Sequence, residues 1–169
     1  MTRPALTLIE AIIVIMIIGL LAVLAVPRFS QAEPGPQTLN PRPALVTLRN
    51  AIEMYYYDHG VYPGQHSDGI HPPGSAEAFV AQLTSFSDAE GRVSPEKSNQ
   101  ACFGPYLRDG IPACPVLPRL GKSGVVMTTD PPAFQEWAAD AGWVYNCQSG
   151  AIAVNSNAQD ANNVCYDRY

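Results

Sequence analysis

The side chains of this 169-residue sequence that could do chemistry fall into three groups. His59, His66 and His71 stand near Asp68, Ser67 and Ser75, and on paper a histidine, the aspartate and a serine make a base, an orienting carboxylate and a nucleophile. Apart from His59, which sits at a turn, they lie in one Gly-, Pro- and Ser-rich loop, and a loop without a rigid frame lacks the preorganisation that catalysis requires. Their irregular spacing reads as that of solvated residues rather than metal ligands. The second group is four cysteines, Cys102, Cys114, Cys147 and Cys165. The third is a single carboxylate, Glu10, at the head of the uncharged run from Ala11 to Val26.

No Gly-x-Ser-x-Gly, His-Glu-x-x-His or phosphate-binding loop accompanies them, so the chain reads as non-enzymatic. With no Cys-x-x-Cys pair and all histidines far upstream of the cysteines, zinc is not expected. An even cysteine count behind an export-type N-terminus predicts two disulfides in an oxidising compartment. Four cysteines allow three connectivities; Cys102–Cys114 and Cys147–Cys165 are favoured because each closes a short loop rich in Gly, Pro or Asn. With net charge −5 and no basic run, nucleic acid is not an expected partner.

Stepping outward from Glu10, residues 6–29 as a helix are long enough to span a hydrocarbon layer, which takes about 20 apolar residues. A carboxylate in such a helix costs a few kcal/mol unless it snorkels, protonates or finds a cation. A secretory signal peptide is the rival reading, with Arg3 as its charged start, Ala11 to Leu21 as its core and Val23-Leu24-Ala25 as its cleavage site. Glu10 opposes it, since a signal peptide has no use for a charge at that place.

Leu6-Thr-Leu-Ile-Glu10 behind the leader Met1-Thr-Arg-Pro-Ala5, with Gly19 inside the apolar run and Pro27 at its end, resembles the type IV pilin and type II secretion pseudopilin family. Two further stretches are similar to the major pseudopilin group: Leu48 to Pro63, and Phe103-Gly-Pro-Tyr-Leu107 followed by Ile111-Pro112. The resemblance implies cleavage by a prepilin peptidase between Ala5 and Leu6 and N-methylation of Leu6. It also implies pairing of Glu10 with a neighbour's terminal amine during assembly. The implied partners are the peptidase, further copies of the chain, other pseudopilins and an inner-membrane assembly platform. Ala5 stands where the family usually has Gly, and Leu6 where Phe is commoner. Related pseudopilins bind calcium in a C-terminal loop. Here the stretch from Asn155 to Asn163 carries oxygen side chains but few carboxylates, so no cofactor is expected and calcium would be held weakly.

The expected organisation is a leader at 1–5, a transmembrane and assembly helix at 6–30, and a periplasmic pilin-like head at 31–169, the chain being single-pass in the inner membrane until it enters a filament. Pro27, Pro34 and Pro36 must end or bend the stem, because proline removes a helical hydrogen bond and clashes with the preceding turn. An exported binding or sensing domain that uses the stem only as signal or anchor is the alternative function.

The head reads as α+β. Asn40 is suited to cap a helix with Pro41 in its first position, and Leu45, Leu48, Ile52 and Tyr55 or Tyr56 make its apolar stripe up to a cap at Gly60. The neighbouring tyrosines, Tyr55 to Tyr57, splay over different faces. Ser75 is suited to cap a second helix with Phe79, Val80, Leu83 and Phe86 on one face. A turn at Asp88–Gly91, a short strand near Val93, a strand at Gly124–Thr128, a short helix from Asp130 to Trp137, and a hairpin of 143–147 with 151–155 follow. In the hairpin Trp143 and Tyr145 share one face, Val144 and Asn146 the other. A small antiparallel sheet beneath the long helix is the expected architecture.

Overall fold

The computed structural model describes residues 9–17, 40–160 and 162–169. The chain divides into two units, Met1–Gln37 and Thr38–Tyr169. In the first, residues 9–17 form a helix, α1. At about 1.5 Å per residue these described residues rise roughly 14 Å. Among the described residues no helix is long and apolar enough to cross a membrane. The leader, the Ala5–Leu6 junction, the boundary at residue 30 and the breaks at Pro27, Pro34 and Pro36 lie outside the described residues.

The second unit opens on α2, Arg42–His59. The expected start shifts by one residue: Pro41 is the cap, already at helical angles, and its carbonyl accepts from the Leu45 amide at 3.0 Å. Asn40 still contributes, its Oδ1 accepting from the Arg42 amide at 3.1 Å. Leu45, Leu48, Ala51, Ile52 and Tyr55 form the buried stripe, whereas Tyr56 and Tyr57 are exposed. Gly60 ends the helix at φ 72°, in the left-handed region that costs other residues a steric clash, and its amide returns to the Tyr56 carbonyl.

Ser75 caps α3, Ala76–Thr84, by accepting from the Ala78 amide at 3.2 Å. Phe79 and Leu83 are buried and Val80 half-buried, as their spacing predicts. Phe86 is not on that face, because the helix stops at Thr84 and Phe86 begins β1, Phe86–Ser87. β1 pairs antiparallel with β2, Val93–Ser94, around the Asp88–Gly91 turn.

The main sheet has the order β3-β4-β5, formed by Gly124–Met127, Ala141–Tyr145 and Ile152–Val154. β4 and β5 form the expected antiparallel hairpin, but β3 runs parallel to β4, so the sheet is mixed rather than antiparallel. A parallel pair needs a crossover of about a dozen residues, and residues 128–140 provide it. That crossover is not the helix expected from Asp130 to Trp137. Pro131 and Pro132 stand in succession there, each removing an amide donor and disfavouring helical geometry in the residue before it.

Trp143 and Tyr145 face α2 and α3 in the principal core with Ile152 and Val154. Val144 points the other way, into a smaller cluster with Val126, Ala138 and Ala141. The central strand is thus buried on both faces, one under the helices and the other under the crossover. A C-terminal 3₁₀ turn, Tyr166–Arg168, adds Tyr166 to the principal core.

Candidate functional site

The N-terminal helix α1 carries Glu10 among apolar side chains. Ile9, Ile12, Ile13, Val14, Ile15, Met16 and Ile17 are between 47% and 68% exposed, so the apolar surface runs around the helix rather than along one stripe. A helix apolar on every side belongs in lipid or among other helices. Glu10, also exposed, is its single ionisable side chain among the described residues.

The loop that could be drawn as a triad is built differently. Asp68 is buried, its Oδ2 is 2.7 Å from His71 Nδ1, and its Oδ1 accepts from the amides of Ile70 at 2.8 Å and His71 at 2.5 Å. Burial pushes the Asp68 carboxyl up, but the His71 ring and these amides outweigh it and hold the group below the ordinary range. Neither serine offers a hydroxyl to the ring: Ser67 donates to the His71 carbonyl at 2.6 Å, and Ser75 to the Pro72 carbonyl at 2.7 Å. His66 is exposed. The arrangement is a loop clamp, tied further by the Val93 amide donating to the Asp68 carbonyl.

His59 is not a solvated residue. It lies half-buried in the last turn of α2, stacked on Tyr55 with ring centroids 4.0 Å apart. Its Nδ1 is 3.0 Å from the Tyr55 carbonyl, and its Nε2 is 3.0 Å from the Asp88 carbonyl and 3.1 Å from Ser87 Oγ. These bonds join α2 to the β1–β2 turn.

All four cysteines are free, so neither Cys102–Cys114 nor Cys147–Cys165 is bridged. Closeness in sequence does not place these thiols together. Cys102 is exposed while Cys114 is buried, its thiol donating to the Val116 carbonyl at 3.6 Å. Cys114 is wedged against Gly142, where an added Cβ would lie 2.7 Å from that of Cys114 and collide with the Lys122 carbonyl. Burial pushes the Cys114 thiol up. Half-buried Cys147 lines a cleft beside the crossover, and Cys165 accepts from Gln159 Nε2 at 3.7 Å.

In the Asn-rich C-terminal stretch the Asp160 carboxylate is engaged internally. Asp160 Oδ1 accepts from the Asn162 and Val164 amides, and Oδ2 from the Tyr169 hydroxyl at 2.5 Å. Among the described residues no three His, Cys, Asp or Glu side chains cluster as a metal site.

The most deliberately held surface is the crossover 128–140, which contains the segment Asp130 to Trp137 expected to be a helix. Asn146 Nδ2 donates to the carbonyls of Thr129 and Asp130 at 2.9 and 3.0 Å. Asn155 accepts from the Gln135 amide at 2.7 Å and donates to the Ala138 and Ala141 carbonyls. Arg119 donates to the carbonyls of Gln135 and Glu136. The loop presents Trp137 at 74% exposure, its indole N–H donating to Gln135 Oε1 at 3.0 Å. A cleft of about 440 Å³ opens beside it. The Pro131-Pro132 pair was the one signal in the sequence that this segment is not helical.

Comparison with curated proteins finds similarity to the type IV major pilin protein PilE1 of Neisseria gonorrhoeae, 33% identical over 69 residues. Those residues are 41% of this chain and 32% of that protein, so the chain spans about a third of the length of the curated relative it matches. No family model matches, and no solved structure does.

Proposed function

We propose that this chain is a structural, non-catalytic subunit of a type IV pilus-like filament, anchored in the inner membrane by its N-terminal helix and polymerised by packing those helices together. The observation that carries this reading is the helix α1, apolar and exposed on every side with one carboxylate near its start. Such a surface in water loses roughly 25 cal/mol for each Å² of apolar area left uncovered. Lipid covers it before assembly, and neighbouring copies of the same helix cover it afterwards. Glu10 in that environment requires a cation, and the terminal amine of a neighbouring subunit cut before Leu6 supplies one. The similarity to a major pilin supports the same direction.

Within this class we infer a type II secretion pseudopilin, on the resemblance of Leu48 to Pro63 and Phe103 to Leu107 to that group. Its work would be mechanical: the growing filament of periplasmic heads pushes cargo outward while prepilin peptidase and an inner-membrane platform supply and add subunits. Intact mass and N-terminal sequencing of the protein from its own host's membranes test the reading. A chain beginning at methylated Leu6 is expected; one beginning at Val26 would make it a soluble exported domain, and an uncut Met1 a plain membrane anchor.

A further inference from the structure

The crossover 128–140 has no regular secondary structure, yet three buried polar side chains direct hydrogen bonds to it. Asn146, Asn155 and Arg119 reach in from β4's end, β5's end and the loop before β3, and together fix the carbonyls or amides of Thr129, Asp130, Gln135, Glu136 and Ala138. A polar group is costly to bury, and a connection that only joins two strands has no need of such fastening. What the fastening achieves is to hold Trp137 in water, 74% exposed, in one orientation set by its bond to Gln135. A large aromatic ring held out from the core at a fixed angle is the arrangement of a binding platform.

The ring borders two depressions, one of about 440 Å³ and one of about 340 Å³. The larger falls within the size of a small-molecule site. Around it the Asp130 carboxylate, the Thr129 hydroxyl and the Gln135 Nε2 amide have no side-chain partner among the described residues. They offer an acceptor, a donor-acceptor and a donor beside an apolar plane.

We propose that this cleft binds a neutral saccharide, the C–H face of one pyranose ring stacking on Trp137 while its hydroxyls bond to Asp130, Thr129 and Gln135. The charge around the cleft selects against acidic sugars and phosphates. Asp130 and Glu136 are negative, Arg119 is buried and committed to backbone carbonyls, and Lys122 is paired with Asp140 at 2.7 Å. An alkylammonium ion would suit the carboxylate and the ring, but it gives no acceptor to the Gln135 amide or the Thr129 hydroxyl. The residues that line the cleft all belong to the Thr38–Tyr169 unit.

The protein carries its own probe, since of its two tryptophans Trp143 is fully buried and Trp137 is exposed. The full-length chain is titrated with neutral oligosaccharides of glucose, galactose and N-acetylglucosamine, with sialyllactose and choline alongside, while tryptophan emission and acrylamide quenching are followed. At least one neutral sugar should give a saturable blue shift and protection from quenching, with a dissociation constant on the order of 1 mM. Trp137→Ala should abolish the response, and Asp130→Ala should weaken binding about tenfold. Unchanged emission from Trp143 and an unchanged melting temperature show that both variants remain folded. The proposal is overturned if no neutral sugar gives a saturable response, if the response survives Trp137→Ala, or if sialyllactose or choline produces it equally well. Protection of Trp137 by self-assembly without sugar would also overturn it, making this face an interface between copies.

Discussion

Asn155 at the end of β5 holds Gln135 in the middle of the crossover: the buried amide Oδ1 accepts from the Gln135 N–H at 2.7 Å, across twenty residues of chain. The same side chain donates to the carbonyls of Ala138 and Ala141. One residue therefore closes the second face of the sheet over Val144 and places Trp137. The expected strand Ala151–Asn155 ends on the side chain that organises the segment before β4.

Asn155→Ala would leave the Gln135 amide and the Ala141 carbonyl without this partner, while the Ala138 carbonyl keeps the Ala141 amide. An unpaired buried group costs on the order of 1–3 kcal/mol, and some of these groups will regain water. We expect a loss of about 2–3 kcal/mol in urea denaturation, together with a change in the Trp137 environment seen in emission. A variant as stable as the parent would mean that the crossover holds itself.

Stability in acid should depend on Asp160. The Tyr169 hydroxyl first, then the Val164 amide, hold its carboxyl down to about 2 from an ordinary 3.8. A folded-state value below the unfolded one stabilises the protein fully above the unfolded value, and that contribution is lost as pH falls through the folded one. The parent should lose stability between about pH 4 and about pH 2 more steeply than Asp160→Asn. Asp68, also held low, contributes in the same direction, so Asp160→Asn reduces the acid dependence without removing it. Equal slopes for the two proteins would contradict the Asp160–Tyr169 pairing.

The thiols should react in an order set by burial. Cys102 is exposed and should be modified first by a thiol reagent under native conditions, whereas Cys114 is buried with its thiol pushed up and should react only on unfolding. Counting modified sites by mass before and after denaturation distinguishes them. Failure of all four to react in denaturant would restore the bridges.

If the proposed function holds, Glu10→Ala should insert and be processed normally but assemble poorly, because the proposed axial contact between the carboxylate and a neighbour's amine would be lost while the apolar surface of α1 is kept. Electron microscopy and shear fractions from cells overproducing the variant measure this. Filaments at parental abundance would remove Glu10 from assembly.

Much of the Thr38–Tyr169 unit was legible because its signals are local. The stripe from Leu45 to Tyr55, the Ser75 cap, the glycine at the end of α2 and the β4–β5 hairpin each depend on residues within about one or two turns of each other. Glu10 stood out for the same reason, as a charge against an uncharged run. The sequence by itself determined these elements, and with them the apolar N-terminal segment on which the functional reading rests.

Tertiary structure alone decided the rest. Whether β3 runs parallel or antiparallel to β4 depends on the path of the intervening crossover, which hydrophobic periodicity does not specify. That Gln82 would be buried, receiving the Gly64 amide and donating to the Gly91 carbonyl, follows from which loops meet α3. The same holds for Asn146, Asn155 and Arg119, whose polar side chains carry no local mark of burial. Apart from the local bonds of Asn146 Oδ1 to the Gln148 and Ser149 amides, their partners lie 14 to 20 residues away, so those bonds form only once β3, β4 and β5 are in register. Periodicity records which face of an element is apolar; a buried hydrogen bond between distant residues exists only after those elements have packed.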